Sequence, residues 1–183
     1  MLKRCVFLFF IGMIFCMRSF AQAAVCQRFQ SFIPKHYQLL DSMSGDINQD
    51  GCKDLILILA STRNYDRPLL LLEGNGTGNY FLAARNDSVI LCEGCGGACC
   101  HDPYQQTTVT NSSFSFMHYG GDLNIHWTRL IAFGFDVVTQ QYVLYKDIGI
   151  FKDDQNPHAT RYVIYGKGEE CLLPFSEYTY NKY

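Results

Sequence analysis

The sequence predicts an all-β chain, mainly antiparallel, built as a two-sheet sandwich or a propeller-blade-like meander with little helix. Three observations carry this expectation. Aromatic residues make up 15% of the 183 positions, and aromatic side chains favour pleated, half-buried surfaces. Short apolar runs recur between clusters of glycine, asparagine and serine, which is the spacing of strands joined by turns. Long stretches with apolar residues at helical spacing are missing, and only residues 26–32 suggest a short helix.

Taken in order, residues 1–23 read as an export signal. Lys3 and Arg4 form a basic start, residues 5–17 are a short apolar stretch, and Ala21-Gln22-Ala23 gives the small-x-small cleavage pattern. The apolar stretch is short for a bilayer span, so no stable membrane span is expected after cleavage. Phe15 before Cys16 and Val25 before Cys26 stand where a lipid-attachment signal has a small residue. The expected product is a single β-rich domain over residues 24–183, periplasmic or secreted. Losing Lys3, Arg4 and Arg18 makes the chain more acidic than its formal charge of −2. No basic stripe remains for a nucleic acid to use.

Residues 37–43 are the first expected strand and lead into a polar loop at 45–54; residues 54–60 leave that loop as a buried strand. Residues 68–73 and 80–85 flank Gly74-Asn75-Gly76-Thr77-Gly78-Asn79, a glycine-rich hairpin connection. Residues 89–92 read as a short strand. Residues 107–110 and 114–119 are parted by Asn111-Ser112-Ser113, a second hairpin signal. Along residues 125–135, Ile125, Trp127, Ile131, Phe133 and Phe135 fall on one face, interrupted by Arg129. Residues 142–145 and 162–165 complete the set.

The loop at 45–54 carries the most specific chemistry. Asp46, Asn48, Asp50 and Asp54 take its first, third, fifth and ninth places, and Gly51 the sixth. The glycine permits a sharp bend, and the carbonyl of Cys52 at the seventh place adds an oxygen. Such a set suits a hard cation that takes about six to eight oxygens, above all calcium. The ligands expected are Asp46, Asn48, Asp50, Cys52 and Asp54. The twelfth place, where an EF-hand has a bidentate glutamate, is Leu57 inside a strand-like run, so the loop is not an EF-hand. The competing reading is a polar turn with no ion, since Asp, Asn and Gly favour turns in any case.

A loop of the form D-x-N-x-D-G-x-x-D before a buried strand resembles the calcium loops of FG-GAP and VCBS-type repeats. It occurs once, so a whole propeller is excluded. The ordered set GDINQDGCKDLILIL, RPLLLLEG, YFLAARNDSVILCEGCGG, FSFMHYGG and WTRLIAFGFD resembles small exported bacterial proteins of unassigned function that carry one such loop. The resemblance covers residues 37–145 and implies a β-rich envelope protein with no established activity. The chain departs from that pattern in its additional Cys52, Cys99 and Cys100.

The chain has nine cysteines; with Cys5 and Cys16 in the signal, an odd number is left. In an oxidising compartment disulfides are the default, and at least one thiol then stays free or pairs with another molecule. Cys26 and Cys171 could tie the two ends together. The run Cys92-Glu93-Gly94-Cys95-Gly96-Gly97-Ala98-Cys99-Cys100-His101 admits a zinc site, a Cys-x-x-Cys redox pair, or a glycine-rich bend stapled by a disulfide. The staple is the reading preferred. Among the histidines, His118 and His126 bracket Gly120-Gly121-Asp122 and could line a pocket with Tyr119, Trp127 and Arg129; strand packing is the alternative. No H-E-x-x-H or G-x-S-x-G pattern is present. Two function classes follow. The first is an exported, calcium-stabilised β-module that binds an envelope protein or glycan without performing chemistry. The second is a thiol- or zinc-dependent envelope enzyme or redox protein that uses the cluster from Cys92 to Cys100 and His101.

Overall fold

The computed structural model describes residues 29–164 and 173–180. The chain divides into two compact units, Met1–Pro34 and Lys35–Tyr183. In the first, a 3-10 turn at Gln30–Phe32 is closed by the Ile33 N–H donating to the Gln30 carbonyl at 3.1 Å. This turn is all the described part holds of the helix expected over residues 26–32. The expected export signal, Cys26 and Cys171 lie outside the described residues.

In the second unit the described residues form two antiparallel sheets. The first runs β1 (Tyr37–Gly45), β2 (Asp54–Ser61), β3 (Leu69–Gly74) and β4 (Tyr80–Asn86), each strand beside the one before it. The second runs β5 (Tyr104–Thr110), β6 (Ser113–Gly121), β7 (Ile125–Asp136), β8 (Gln141–Asp153) and β9 (Asn156–Ile164) in the same meandering way. The all-β, antiparallel, two-sheet expectation therefore holds.

The apolar runs explain the packing. On β2 and β3, Ile56 pairs with Leu71 and Ile58 with Leu69. These four side chains enter a core shared with Phe114, Phe116, Ile131 and Phe133 of the second sheet. Leu55, Leu57, Leu59, Leu70 and Leu72 alternate to the opposite face and are buried as well. A strand buried on both faces has no polar alternation to show, which is why both segments read as continuous apolar runs. In the second sheet Phe114 stacks on Phe133 at 5.5 Å, and Phe175 meets Phe133 edge-on at 5.0 Å. The C-terminal segment delivers Phe175: Leu144 N–H donates to the Leu173 carbonyl at 2.9 Å, and a 3-10 turn follows at Phe175–Glu177.

Three sequence expectations need correction. Residues 89–92 form no strand, although Val89, Ile90 and Leu91 are buried. Their backbone bonds go to side chains instead: Asn86 Oδ1 accepts from Ser88 and Val89 N–H at 2.8 and 2.7 Å, and Leu91 N–H donates to His118 Nε2 at 3.3 Å. The strand expected at 142–145 extends to Asp153, and its partner begins at Asn156 rather than at residue 162. Arg129 does not interrupt the inward face of β7. It lies on that face, 4% exposed, and is neutralised there by Asp147.

Candidate functional site

β1 and β2 end their ladder at the Gly45–Asp54 pair, so the polar loop closes the mouth of this hairpin. Ile47 plugs the loop into the core with no exposed surface. Gln49 (φ 62°) and Gly51 (φ 83°) both take left-handed backbone conformations. Glycine accepts this without cost; for Gln49 it is an uncommon state that tightens the bend.

The loop's side chains bind its own backbone. Asp54 is buried, and its Oδ2 accepts N–H bonds from Ile47 at 2.8 Å and Asn48 at 3.3 Å, while Oδ1 accepts from Gly74 at 3.2 Å. Asp50 Oδ1 accepts from Cys52 N–H at 2.7 Å, and its Oδ2 accepts from the Asn48 amide at 3.0 Å. Asn48 Oδ1 accepts from Asp50 N–H at 3.1 Å, and Asp46 Oδ2 accepts from Gly51 N–H at 3.2 Å. The remaining oxygen, Asp46 Oδ1, is buried and has no hydrogen-bond partner. Electrostatics divide the acids. The Cys52 N–H, then the Asn48 amide, hold Asp50 below its ordinary value. Burial pushes the Asp54 carboxyl up, against the pull of its three N–H donors. Burial, then Asp50, pushes the Cys52 thiol up. The oxygens fit a hard cation in kind, and the orphaned Asp46 Oδ1 is the one with no other use. Among the described residues no group of three or more His, Cys, Asp or Glu side chains is gathered around one metal position.

The cysteine loop is a second construction. Cys92 and Cys95 are joined in a disulfide with Cα atoms 5.3 Å apart, so the stapled bend expected from the sequence is present. Two of the sulfurs a zinc site would use are committed to that bond. The loop's root is clamped by a buried arginine: Arg67 Nη1 donates to the Leu91 carbonyl at 3.2 Å, and its guanidinium grips Asp102 at 2.6 and 2.7 Å. Burial would raise the Asp102 carboxyl, but the Arg67 hydrogen bonds, the Tyr104 N–H and the Arg67 charge together outweigh it and the net shift is downward. The His101 carbonyl accepts from Gly94 N–H at 2.7 Å and Gly96 N–H at 3.4 Å, which folds the loop back on itself. Gly121 N–H donates to the Gly96 carbonyl at 2.7 Å and Cys99 N–H to the Gly121 carbonyl at 3.2 Å. A methyl group on Gly97 would overlap the Gly121 backbone, so close approach of the two chains requires glycine here. At the end of the loop Cys99 Sγ and Cys100 Sγ lie 2.6 Å apart, both partly buried.

The proposed histidine pocket divides between the two faces of the second sheet. His118, opposite Arg129 in the ladder, points inward and is fully buried. Burial, then the charges of Arg129 and Arg67, lower it to about 3, so it is neutral and accepts the Leu91 N–H. His126 lies toward the other face, stacked on Tyr119 at 5.8 Å and bonded to Asp154 at 2.9 Å. Trp127 covers Gly120. Arg129 belongs to a buried network: its Nε and Nη2 reach Asp147 at 2.7 and 2.8 Å, and Tyr178 O–H donates to Asp147 at 2.7 Å. The Arg129 guanidinium also lies 4.0 Å over the Tyr180 ring. This network and the Arg67–Asp102 clamp were not found from the sequence, because their members are far apart along the chain. The only local signal was an arginine beside each apolar run.

Comparison of the chain with protein-family models, with curated proteins and with solved structures finds no match in any of the three. Apart from the two loops, the described surface has a groove of about 480 Å³ between β4, the β7–β8 turn and the C-terminal segment. Phe81, Leu82, Gln140, Tyr142 and Glu177 line it.

Proposed function

We propose that the chain is an exported, calcium-binding and calcium-stabilised β-module of the cell envelope or exterior, with a binding or structural role. The observation that carries this reading is the buried, unpartnered Asp46 Oδ1 in a loop spaced D-x-N-x-D-G-x-x-D. A buried carboxylate oxygen without a donor is costly unless a cation meets it. Asp46, Asn48, Asp50, the Cys52 carbonyl and Asp54 would hold the ion, and a bound ion would offset the mutual repulsion of the three acids. Its chemistry here is charge neutralisation, which fixes where β2 begins. Export behind residues 1–23 and a periplasmic or secreted location belong to the same reading. The groove beside Phe81 and Glu177, with apolar, amide and carboxylate groups together, has the composition to meet an envelope protein or glycan.

Calorimetric titration of residues 24–183 with calcium, and separately with magnesium, tests this. One site with a calcium dissociation constant on the order of 0.1–1 mM is expected, with weaker magnesium binding. Absence of calcium heat, with no calcium-dependent change in melting, would leave only the polar turn.

A further inference from the structure

The cysteine loop contains two kinds of sulfur pair, and their geometries differ in a way that separates their chemistry. Cys92 and Cys95 are three residues apart with Cα atoms at 5.3 Å, inside the usual range of about 4.4–6.8 Å for a disulfide. Cys99 and Cys100 are adjacent, so a trans peptide fixes their Cα atoms about 3.8 Å apart, below that range. Adjacent side chains in an extended segment point to opposite sides. Here the loop turns both toward the same point and brings their sulfurs to 2.6 Å. The turn is held from the backbone by the Cys99 N–H to Gly121 carbonyl bond and by the close glycine contact beneath it.

We propose that Cys99 and Cys100 are a redox-responsive vicinal pair that closes to a disulfide when a small-molecule disulfide supplies the oxidising equivalents. One protein thiolate attacks the reagent RS–SR, forms a mixed disulfide and expels RS⁻, which takes up a proton. The neighbouring thiol loses its proton, attacks the protein-bound sulfur and expels the second RS⁻. The protein gives up two electrons and two protons, and the reagent becomes two RSH. The backbone constraint strains the closed ring, and strained disulfides are the readily reduced, regulatory kind. Cys92–Cys95 is then the permanent staple and Cys99–Cys100 the pair that opens and closes. The hydrogen bond between the two thiols, then burial, pushes Cys99 up to about 11, so closure quickens as the pH rises toward that value. The pair does not depend on whether the Asp46 loop takes calcium.

The experiment treats the full chain with glutathione disulfide, alkylates what remains free, and maps the peptides by mass spectrometry. The Cys99–Cys100 peptide is expected to lose the mass of two hydrogens and to retain no glutathione. In Cys100→Ser, Cys99 should retain one glutathione, because no neighbour is left to expel it; Cys99→Ser should leave one on Cys100. In dithiothreitol the oxidised pair should reopen at a concentration at least about tenfold below that which opens Cys92–Cys95, a difference of about 30 mV for a two-electron couple. Wild-type protein that keeps glutathione on either sulfur, or whose two thiols stay fully alkylatable at every ratio of oxidant, would overturn the proposal. So would a pair that opens only together with Cys92–Cys95.

Discussion

The Asp46–Asp54 loop and the cysteine loop are built alike and fastened differently. Each is a glycine-turned segment rich in ligand-type side chains, and each is rooted by one buried polar group. In the first the root is the Asp54 carboxylate, which accepts backbone N–H bonds from Ile47, Asn48 and Gly74. In the second it is the neutral His118 imidazole, which accepts from Leu91 N–H, assisted by Arg67 on the Leu91 carbonyl and Asp102. The difference teaches that a run of metal-like or thiol-like residues contains both structural and available groups. Only the partner of each atom tells them apart. Asp54 and Cys92–Cys95 hold their loops together, while Asp46 Oδ1 and Cys99–Cys100 are left for something else.

The largest expected effect comes from removing the first root. Asp54→Ala strands three N–H donors, two of them in buried bonds, and hydrogen bonds to a charged group are worth about 1.5–3 kcal/mol each, though not additively. We expect a loss of about 3–5 kcal/mol in urea unfolding in chelator, and up to about 1.4 kcal/mol more in about 1 mM calcium, where the proposed ion also loses a ligand. An Asp54→Ala loss that appears only in calcium would make Asp54 a ligand first and a root second, and would erase the contrast with Asp46.

The second root should respond to acid. His118 lies near 3 in the folded chain, against 6.5 for the free side chain. Below 6.5 the unfolded chain therefore takes up a proton that the folded chain refuses. Stability from this group is full above 6.5 and is lost as the pH falls toward 3. Between pH 7 and pH 5 the loss is about 2 kcal/mol, at about 1.4 kcal/mol per unit below 6.5. Unfolding of wild type and His118→Leu at both pH values checks this. The variant is less stable at pH 7 but should lack this component of the slope. Equal slopes would mean that the cysteine loop has no acid-sensitive root.

How far the two regions were legible follows from the range of their contacts. The oxygen loop was visible because its ligand-type residues, its glycine and its following strand all fall within a few positions of one another. β2 and β3 were visible for the same reason, as unbroken apolar runs. The 89–92 segment looked like a strand because Val89, Ile90 and Leu91 are apolar and buried; its bonding to Asn86 and His118 could not be read locally. β9 was nearly missed. It is an edge strand of mostly exposed residues with Pro157 in it, and such a strand has little alternation to show. Arg67, Asp102 and Asp147 gave no signal in the sequence, since an ion pair such as Arg67–Asp102, formed 35 residues apart, leaves no local pattern.

The staple should matter less than either root or about as much as the acid response. Cys92→Ser opens a loop of only a few residues, so the chain-entropy contribution is about 2 kcal/mol. The expected outcome is a lower urea midpoint, with the Arg67–Asp102 clamp keeping the root in place. A loss as large as that of Asp54→Ala would mean that the disulfide, and not His118 with Arg67, fastens the loop.

The smallest effect is the one on which the proposed function rests. At about 1 mM calcium, a site of 0.1 mM dissociation constant contributes roughly 1.4 kcal/mol of stability. Chelation should therefore lower the melting temperature by a few degrees, since about 1 kcal/mol corresponds to about 2–8 °C for domains of this order of size. Asp46→Ala and Asp50→Ala should abolish that shift. They should differ in chelator: Asp50 accepts the Cys52 N–H and the Asn48 amide, so its loss also loosens the bend. Asp46→Ala loses the Gly51 N–H bond but also removes the orphaned oxygen. In chelator Asp46→Ala should melt within a degree or two of wild type, and in calcium it should melt clearly below it. Identical wild-type melting in calcium and chelator would remove the ion from the loop and leave both loops as turns of the same kind, one closed by oxygens and the other by sulfur.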